Sequence, residues 1–275
     1  QEKGVAGPAG SFVIDDAATA VARSLMAGER KAVLLGNAAA HHAQAAQLLA
    51  LANWIGEHAG ATVGYLTEAA NTVGAQFVGA HPVKGGLNAA QMLSGGLKAV
   101  LLLNNEPVHD SSVGARATDA LSGAEMVVTL SPFKANMEFS DVLLPIAPFT
   151  ETSGSFINAE GRLQSFHAVV RPLGDTRPAW KVLRVLANML EIPGFDFETS
   201  QDVLARATNA APGAFSQIDA TQLSNAVTGG VTASVSGAVG EPVVASIYQL
   251  DGLVRRSPSL QLTADARMAR EEVAA

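Results

Sequence analysis

Three charged side chains lie in the polar, glycine-punctuated connection that follows the apolar run 142–144. They are Glu151, Glu160 and Arg162, and they come before a second strand-like run that begins at residue 163. Two carboxyl groups at a suitable separation can perform general acid–base catalysis. The alternative is structural, because charges beside an apolar sheet must be paired. The sequence favours this alternative, in which Arg162 pairs with Glu151 or Glu160.

The same segment contains the residue types that shape a loop. Asn158 can cap loop backbone groups with its side chain, and Gly154 and Gly161 are expected to set turns. A connection of about 12 residues or more is usually functional, or derived from a functional loop. We therefore expect one long loop between a strand at 142–144 and a strand at 163–170.

Other catalytic and metal sites find little support in the residue types. The sequence has no cysteine, which excludes disulfides, thiolate nucleophiles and cysteine-held zinc or iron–sulfur sites within this chain. No Gly-x-Ser-x-Gly elbow surrounds Ser153 or Ser155, so both are expected to be loop serines. His41 and His42 are adjacent and would point to different sides of a helix. We expect no catalytic residue and no metal ligand.

Loops that follow apolar strands are the better candidates for a ligand site. A doubly wound sheet binds ligands outside the carboxyl ends of its strands, where loops 36–38, 104–107 and 131–134 would lie. No Gly-x-Gly-x-x-Gly or Walker sequence is present, so we expect no functional cofactor site. The candidates for a vestigial site are Gly36, Asn37, Asn105, Glu106, Ser131, Gly154 and Asn158.

Composition narrows the classes of partner. The chain has 275 residues, is 48% hydrophobic and only 5% aromatic, and has a formal net charge of −7. A large core built mainly from Ala, Val and Leu is therefore expected. Nucleic acid is an improbable partner, since phosphate binding requires a basic face. No apolar run approaches the ~18 residues of a membrane span, so direct membrane insertion is not expected.

Short apolar strands alternate with helical patterns along the chain, which predicts an α/β fold. We expect a doubly wound, mostly parallel sheet with helices on both faces, built from two Rossmann-like halves, plus a C-terminal tail. Lys-Ala-Val-Leu-Leu occurs at 31–35 and again at 98–102, which suggests one repeat per half. The predicted strands are 31–37, 62–66, 98–105, 125–130, 142–144, 163–170 and 243–249. The predicted helices are 15–28, 39–58, 87–94, 112–122, 177–190, 199–209 and 263–273.

Changes in composition divide the chain into three parts. Residues 1–14 are predicted to be a flexible lead cut from something longer, and residues 15–209 the α/β domain. Residues 210–241 are rich in Ala, Gly, Ser and Thr. Residues 210–275 are therefore predicted to be a linker and a C-terminal extension that packs back on the domain.

The polar segment closely resembles a signature of the molybdopterin oxidoreductase superfamily. That signature runs Asp-x-x-Leu-Pro, a gap, then Glu-x-x-Gly-Thr/Ser-x-x-Asn-x-Glu-Gly-Arg-x-Gln. Its positions here are Asp141, Pro145, Glu151, Gly154, Asn158, Glu160, Gly161, Arg162 and Gln164. The runs 92–99, 103–107, 253–256 and 259–261 resemble the branch formed by the large iron–sulfur subunit of bacterial NADH:quinone oxidoreductase, which is respiratory complex I.

This resemblance implies a fold like that of formate dehydrogenase and DMSO reductase, and it implies loss of the cofactor in this branch. Pterin-binding relatives commonly carry a Gly-x-Asn-Pro-like loop, whereas here Glu106 precedes Pro107. A carboxylate facing a pyrophosphate would be repelled by up to about 4 kcal/mol. The alternative is that Glu106 points to solvent. The iron–sulfur clusters implied for the full subunit would be held in an N-terminal part that this chain lacks.

The resemblance further implies a scaffold in the peripheral arm that passes electrons from NADH to quinone in the respiratory chain. The expected partners are other peripheral-arm subunits, including the flavin-carrying one. The expected location is cytoplasmic, on the face of the bacterial inner membrane. The alternative is a fragment of a molybdopterin-dependent enzyme that still binds its pterin. A plain nucleotide-binding module that would bind NADH is a third possibility.

Overall fold

The computed structural model describes residues 7–8, 13–209, 224–227, 230–231 and 246–268. The chain divides into two compact units. The first contains the described residues of Gln1–Phe77, Phe156–Leu163 and Gln217–Pro242. The second contains those of Val78–Ser155, Gln164–Ser216 and Val243–Ala275.

The first unit is built on a two-stranded parallel sheet. Strand β1 (Ala32–Leu35) pairs with β2 (Thr62–Tyr65). Its helices are α1 (Asp16–Ala27), α2 (Asn37–Ala40), α3 (Ala45–Ala59) and α4 (Thr72–Phe77). Helix α3 contacts both strands. A Cβ on the buried Gly56 of α3 would clash with Val63 of β2, so glycine permits this close approach of helix and strand.

The second unit is built on a three-stranded parallel sheet. Strands β3 (Ala99–Leu103), β4 (Met126–Ser131) and β5 (Val142–Pro145) lie in that order. The helices around it are α5 (Ala89–Met92), α6 (Pro107–Asp110), α7 (Arg116–Ser122), α8 (Ala179–Met189), α9 (Ser200–Thr208), α10 (Ile247–Leu250) and α11 (Pro258–Gln261). A 3₁₀ turn at Val254–Arg256 joins α10 and α11. Residues 264–268 are again helical.

One face of this sheet covers the hydrophobic core of the second unit. Leu121 of α7, Val127 of β4 and Phe139 form the buried cluster. Five partly buried residues pack against it: Leu93, Val100, Leu102, Val108 and Ala124. Side chains alternate between the two faces of a strand, and Leu101 and Leu103 of β3 are accordingly 47% and 44% exposed.

The predicted α/β class with parallel sheets flanked by helices is confirmed. Both copies of the Lys-Ala-Val-Leu-Leu repeat become the first strand of a parallel sheet, followed by a four-residue helix. In each copy the lysine carbonyl accepts a hydrogen bond from the neighbouring strand, from Thr62 at Lys31 and from Met126 at Lys98. The repeat is therefore present in the structure as well as in the sequence.

Several predicted elements are wrong in detail. The helix expected at 39–58 is divided into α2 and α3, and the helix expected at 112–122 is preceded by an unpredicted α6. Helix α4 lies between the predicted strand 62–66 and the predicted helix 87–94, where no helix was expected. Residues 247–249 of the expected strand 243–249 lie in α10, where the hydroxyl of Ser246 caps the helix by accepting from the amide of Tyr248. Residues 243–245 lie outside the described residues.

The segment 146–162 is not one long loop. It contains a 3₁₀ turn at Phe149–Glu151 and strand β6 (Gly154–Ile157), which pairs with β7 (Leu163–Phe166). A short turn at 158–162 therefore closes a hairpin, with its tip counted in the first unit. Among the described residues, no helix is long and apolar enough to cross a membrane.

Candidate functional site

Backbone geometry places Glu106 at the carboxyl end of β3. The amide of Asn104 donates to the carbonyl of Leu130 at 2.8 Å, and Asn104 adopts a positive φ of 48° that turns the chain out of the sheet. Pro107 then starts α6, a position where its missing N–H is not needed. The amide of Glu106 donates to a carboxylate oxygen of Asp110 at 2.7 Å. The carboxyl group of Glu106 is thereby held beside the sheet edge.

The end of β4 lies beside this turn. Asn136 donates from its side-chain amide to the carbonyl of Asn105 at 2.9 Å. The hydroxyl of Ser131, which is 4% exposed, accepts a hydrogen bond from the amide of Phe133 at 3.1 Å. The structure therefore brings the candidates Asn105, Glu106 and Ser131 to the same edge of the sheet, as the parallel topology predicts.

Two arginines of the C-terminal segment, defined here as residues 246–261, reach the same edge. Arg255 Nη2 lies 2.9 Å from Glu106 Oε1, and Arg256 Nη2 lies 2.8 Å from Glu106 Oε2. Arg255 Nη1 also lies 3.4 Å from Asp110 Oδ1. The guanidinium of Arg256 stacks 4.2 Å from the centre of the Phe133 ring. One carboxylate is thus shared by two guanidiniums, with a second carboxylate alongside.

The carboxylate of Glu106 is stabilised in its charged form. Its side chain is 13% exposed, and that of Arg255 is 11% exposed. Burial by itself raises the pKa of Glu106, but the hydrogen bonds and positive charges of Arg256 and Arg255 outweigh burial and hold that pKa below its usual value. Glu106 is therefore ionised throughout the neutral range.

Both environments that the sequence suggested for Glu106 are wrong. It is neither an unpaired anion that would repel a phosphate nor a side chain that points to solvent, because its two oxygens accept from two arginines. Sequence reasoning missed this pairing because the partners lie about 150 residues away. The sign that could have been used is the Arg255-Arg256 pair itself, which places two positive charges side by side in a chain of net charge −7.

This edge has little positive charge left for a ligand. The two arginines are matched by Glu106 and Asp110, and they also donate to the carbonyls of Gln249 and Gly252. The buried Nε of Arg255 has no hydrogen-bond partner among the described residues. A groove of about 530 Å³ remains, lined by Glu106, His109, Tyr248, Gln249, Arg255, Arg256 and Gln261. Within the described ranges, no group of three or more His, Asp or Glu side chains could hold a metal ion.

The remaining vestigial-site candidates have structural surroundings of their own. Gly36 and Asn37 lie at the carboxyl end of β1 in the first unit, where Gly36 precedes α2. Gly154 lies in β6, where an added Cβ would come 2.6 Å from Cζ of Phe166. Gly154 therefore permits a close packing contact and does not set a turn as expected. Asn158 belongs to the hairpin tip.

The hairpin tip confirms two of the loop predictions. The side-chain oxygen of Asn158 accepts from the amides of Glu160 and Arg162, at 3.1 and 2.9 Å, so Asn158 caps the turn. Gly161 has a φ of +80°, which favours glycine. In contrast, no ion pair joins Arg162 to Glu151 or Glu160 among these described residues, and none of the three side chains is buried. The predicted buried pair is therefore wrong.

The other signature positions also act on the backbone. A carboxylate oxygen of Asp141 accepts from the amide of Val127 at 2.7 Å, while the amide of Asp141 donates to the carbonyl of Val127 at 2.9 Å. This reciprocal pair aligns the starts of β4 and β5, and Pro145 ends β5. Glu151 accepts from the amide of Leu173 at 2.9 Å. Gln164 lies exposed in β7.

Parallel strands flanked by helices, with polar loops at the carboxyl edge of the sheet, define an α/β protein. The chain belongs to the molybdopterin oxidoreductase family, whose family model matches residues 18–189. That range contains all five parallel strands and the whole of the hairpin.

Individual relatives match shorter stretches. Probable oxidoreductase YjgC of Bacillus subtilis is 37% identical over 75 residues, which are 27% of this chain and 8% of that protein. "Putative formate dehydrogenase SAB2186c" of Staphylococcus aureus is 39% identical over 75 residues, 26% and 7% of the two chains. "Putative formate dehydrogenase YrhE" of Bacillus subtilis is 28% identical over 134 residues, 47% and 14%. The matched segments thus span between 7% and 14% of these relatives' length.

Proposed function

We propose that this chain is a scaffolding part of the large iron–sulfur subunit of bacterial respiratory complex I, and that it holds no redox centre itself. The observation that supports this proposal most is a set of ion pairs between two segments that are far apart in the sequence. Residues 103–107 and 253–256, which both resemble that component of complex I, are linked through the ion pairs of Glu106 with Arg255 and Arg256. A pairing between these two runs gives each a structural purpose.

The same ion pairs fit poorly with a bound pterin dinucleotide. An anionic pyrophosphate at the carboxyl edge of β3 and β4 would need positive charge that Glu106 and Asp110 already neutralise. The sequence has no cysteine to act as a thiolate ligand to a metal.

In this proposal the chain contributes shape and contacts to the peripheral arm. Its partners would be other peripheral-arm subunits, including the flavin-carrying one, and its place would be the cytoplasmic face of the inner membrane. Electrons would pass from NADH to quinone through iron–sulfur clusters held outside these 275 residues. The buried hydrophobic core of the second unit suits a role that needs a stable fold.

Affinity purification from the source organism tests this proposal. The chain would be tagged at its own gene, membranes would be solubilised gently, and the eluate would be assayed with NADH and a soluble quinone. We expect NADH:quinone activity together with flavin and iron in the eluate. An eluate that contains the intact tagged chain but lacks this activity would contradict the proposal.

The second candidate is a fragment of a molybdopterin-dependent oxidoreductase that still binds its cofactor. The names of two relatives, formate dehydrogenases by description, favour this candidate. The same eluate separates the two functions, because a formate dehydrogenase would reduce an artificial acceptor with formate and contain molybdenum or tungsten. Formate oxidation without NADH oxidation would replace the first proposal by the second.

A further inference from the structure

The segment between β7 and α8 is anchored firmly to the second unit. The amide of Val169 donates to the carbonyl of Thr150 at 2.9 Å, and that of Leu173 donates to the Glu151 carboxylate at 2.9 Å. Thr176 donates twice to the carbonyl of Leu173, from its amide and its hydroxyl. The carbonyl of Arg177 accepts from Ala147, directly after β5. These bonds fix the backbone, so the side chains it presents are preorganised.

Large apolar side chains on this anchored backbone face solvent. Val169 is 82% exposed, Val170 is 55% exposed and Leu173 is 78% exposed. Phe149, in the 3₁₀ turn from which Glu151 reaches Leu173, is 61% exposed. Single exposed apolar residues are ordinary, but a group of them on one ordered segment is typical of an interaction surface.

Three cations accompany these apolar side chains. Arg171, Arg177 and Lys181 line a groove of about 460 Å³. The groove is also lined by one carboxylate, that of Glu151. The rest of the lining is Thr152, Ser153, Ala168, Pro172, Pro178, Trp180 and Ser200. Oε2 of Glu151 accepts a hydrogen bond from the amide of Leu173. The guanidinium of Arg177 donates to the carbonyls of Gly174 and Thr176.

None of the three cations forms an ion pair among the described residues. Asp175 lies on the same turn but does not line the groove. The concentration of unpaired cations is notable because the whole chain has a net charge of −7. It contrasts with the carboxyl edge of β3 and β4, where two arginines are matched by two carboxylates.

We propose that the 169–181 surface, formed by Val169, Val170, Arg171, Leu173, Arg177 and Lys181, docks an acidic segment of a partner protein. Carboxylates of that segment would pair with the cations of the groove, and an apolar side chain beside them would cover Val169 and Leu173. Arginine and tryptophan are enriched at protein interfaces, and Trp180 lines this groove. Exposed valine and leucine side chains favour a protein partner over nucleic acid, as does the negative net charge.

This surface does not depend on which of the two proposed functions holds, because none of its residues takes part in the ion pairs at the other edge. It also assigns a purpose to the signature residue Glu151. By accepting from the amide of Leu173, Glu151 fixes the backbone that presents this surface. Signature residues and docking surface are thus connected through one hydrogen bond.

Binding of a defined peptide to the full chain tests the proposal. The probe is a twelve-residue peptide with several glutamates and two leucines, compared with the same peptide carrying glutamine for glutamate. We expect the acidic peptide to bind, to weaken as salt rises, and to bind at least about tenfold more tightly than the glutamine peptide. Carbodiimide cross-linking followed by mass spectrometry should join a peptide carboxylate to Lys181.

Charge reversal supplies the matched comparison. The double variant Arg171→Glu/Lys181→Glu should weaken binding at least about tenfold, and Leu173→Ser should weaken it about threefold. Lys98→Glu reverses an exposed lysine elsewhere in the unit, at 86% exposure, and should change binding less than about twofold. Absence of binding up to about 1 mM, equal binding of the glutamine peptide, or unchanged binding to the double variant would each overturn the proposal.

Discussion

At the scale of single residues, Glu106 shows that an acid expected to repel a phosphate can instead be held by positively charged partners. Its carboxylate is largely buried and is bonded to Arg255 and Arg256 at 2.9 and 2.8 Å. Removing one partner from a buried ion pair leaves the remaining charges desolvated and unpaired, which costs more than the intact pair contributes. The contribution of this ion-pair cluster to stability is therefore best measured by a substitution that removes one of its charges.

Glu106→Gln should lower the free energy of unfolding of the second unit by about 3 kcal/mol, because two partly buried guanidiniums lose their anion. The chain has two tryptophans, Trp54 in the first unit and Trp180 in the second. In a Trp54→Phe background, urea unfolding followed by Trp180 fluorescence reports the second unit. A loss below about 0.5 kcal/mol would show that the ion pairs are not structural.

Glu125→Gln is the matched control for this substitution. Glu125 lies 4.0 Å from Lys98, and the two side chains are 76% and 86% exposed. Surface pairs of this kind contribute little, since solvent screens them and two long side chains must be ordered. The free energy of unfolding of this variant should lie within about 1 kcal/mol of the parent value.

Acidic pH should remove the contribution of Glu106. Since its pKa is lower in the folded protein than in the unfolded chain, its stabilisation is fully present above the unfolded value of about 4.3 and is lost as the pH falls through the folded value. The difference in stability between the parent and Glu106→Gln should be constant from about pH 7 to about pH 5 and shrink below about pH 4. Urea titrations across this range measure it. A difference that grows on acidification would contradict the assignment.

At the scale of elements, the hairpin of β6 and β7 depends on a glycine inside a strand. An added Cβ at Gly154 would lie 2.6 Å from Cζ of Phe166, well inside contact distance. Gly154→Ala should therefore destabilise the second unit by about 1–3 kcal/mol, as overpacking does, measured by the same Trp180 fluorescence. Adding Phe166→Leu should recover part of that loss by making room for the methyl group.

Gly64→Ala in β2 provides the contrast. The nearest atom to a Cβ at Gly64 is Cδ2 of Leu34 at 3.8 Å, an ordinary contact. Alanine there should be neutral or slightly stabilising, because it restricts the unfolded chain. If the two alanine variants behaved alike, the packing against Phe166 would not be the reason for glycine at residue 154.

The elements that could be predicted from sequence are those defined by local chemistry. Strands β1 and β3 are continuous apolar runs between polar residues, and α8 is a strongly periodic helix that starts after Pro178. The roles of Asn158 and Gly161 could also be predicted, since a tight turn needs a side chain that caps its backbone and a residue with a positive φ. Strand β6 was missed because it is only four residues long and begins with Gly and Ser, which are typical of loops.

At the scale of the whole molecule, the candidate site depended on contacts that no local pattern reveals. The positions of Asn105 and Ser131 followed from the parallel topology. The pairing of Glu106 with Arg255 and Arg256 did not, because it joins residues about 150 positions apart. Similarly, the expected pairing of Arg162 with a nearby glutamate was wrong because the hairpin tip leaves these side chains unburied. Proximity in sequence was a poor guide to ion pairing in this chain.

The chain has the fold of the molybdopterin oxidoreductase family, and in the proposed function its charge-matched carboxyl edge holds no cofactor. The C-terminal segment takes part in this arrangement by supplying both arginines. The second unit therefore has one edge whose charges are internally matched and, along the 169–181 surface, three cations that form no ion pair among the described residues.

The most direct test is the cofactor content of the intact chain produced in its source organism with molybdate and tungstate supplied. Released pterin would be quantified by fluorescence after denaturation and oxidation, and metals by mass spectrometry, on the same purified sample. The proposed scaffold role predicts pterin, molybdenum and tungsten at background level. Pterin and metal in stoichiometric amounts with the chain would contradict it.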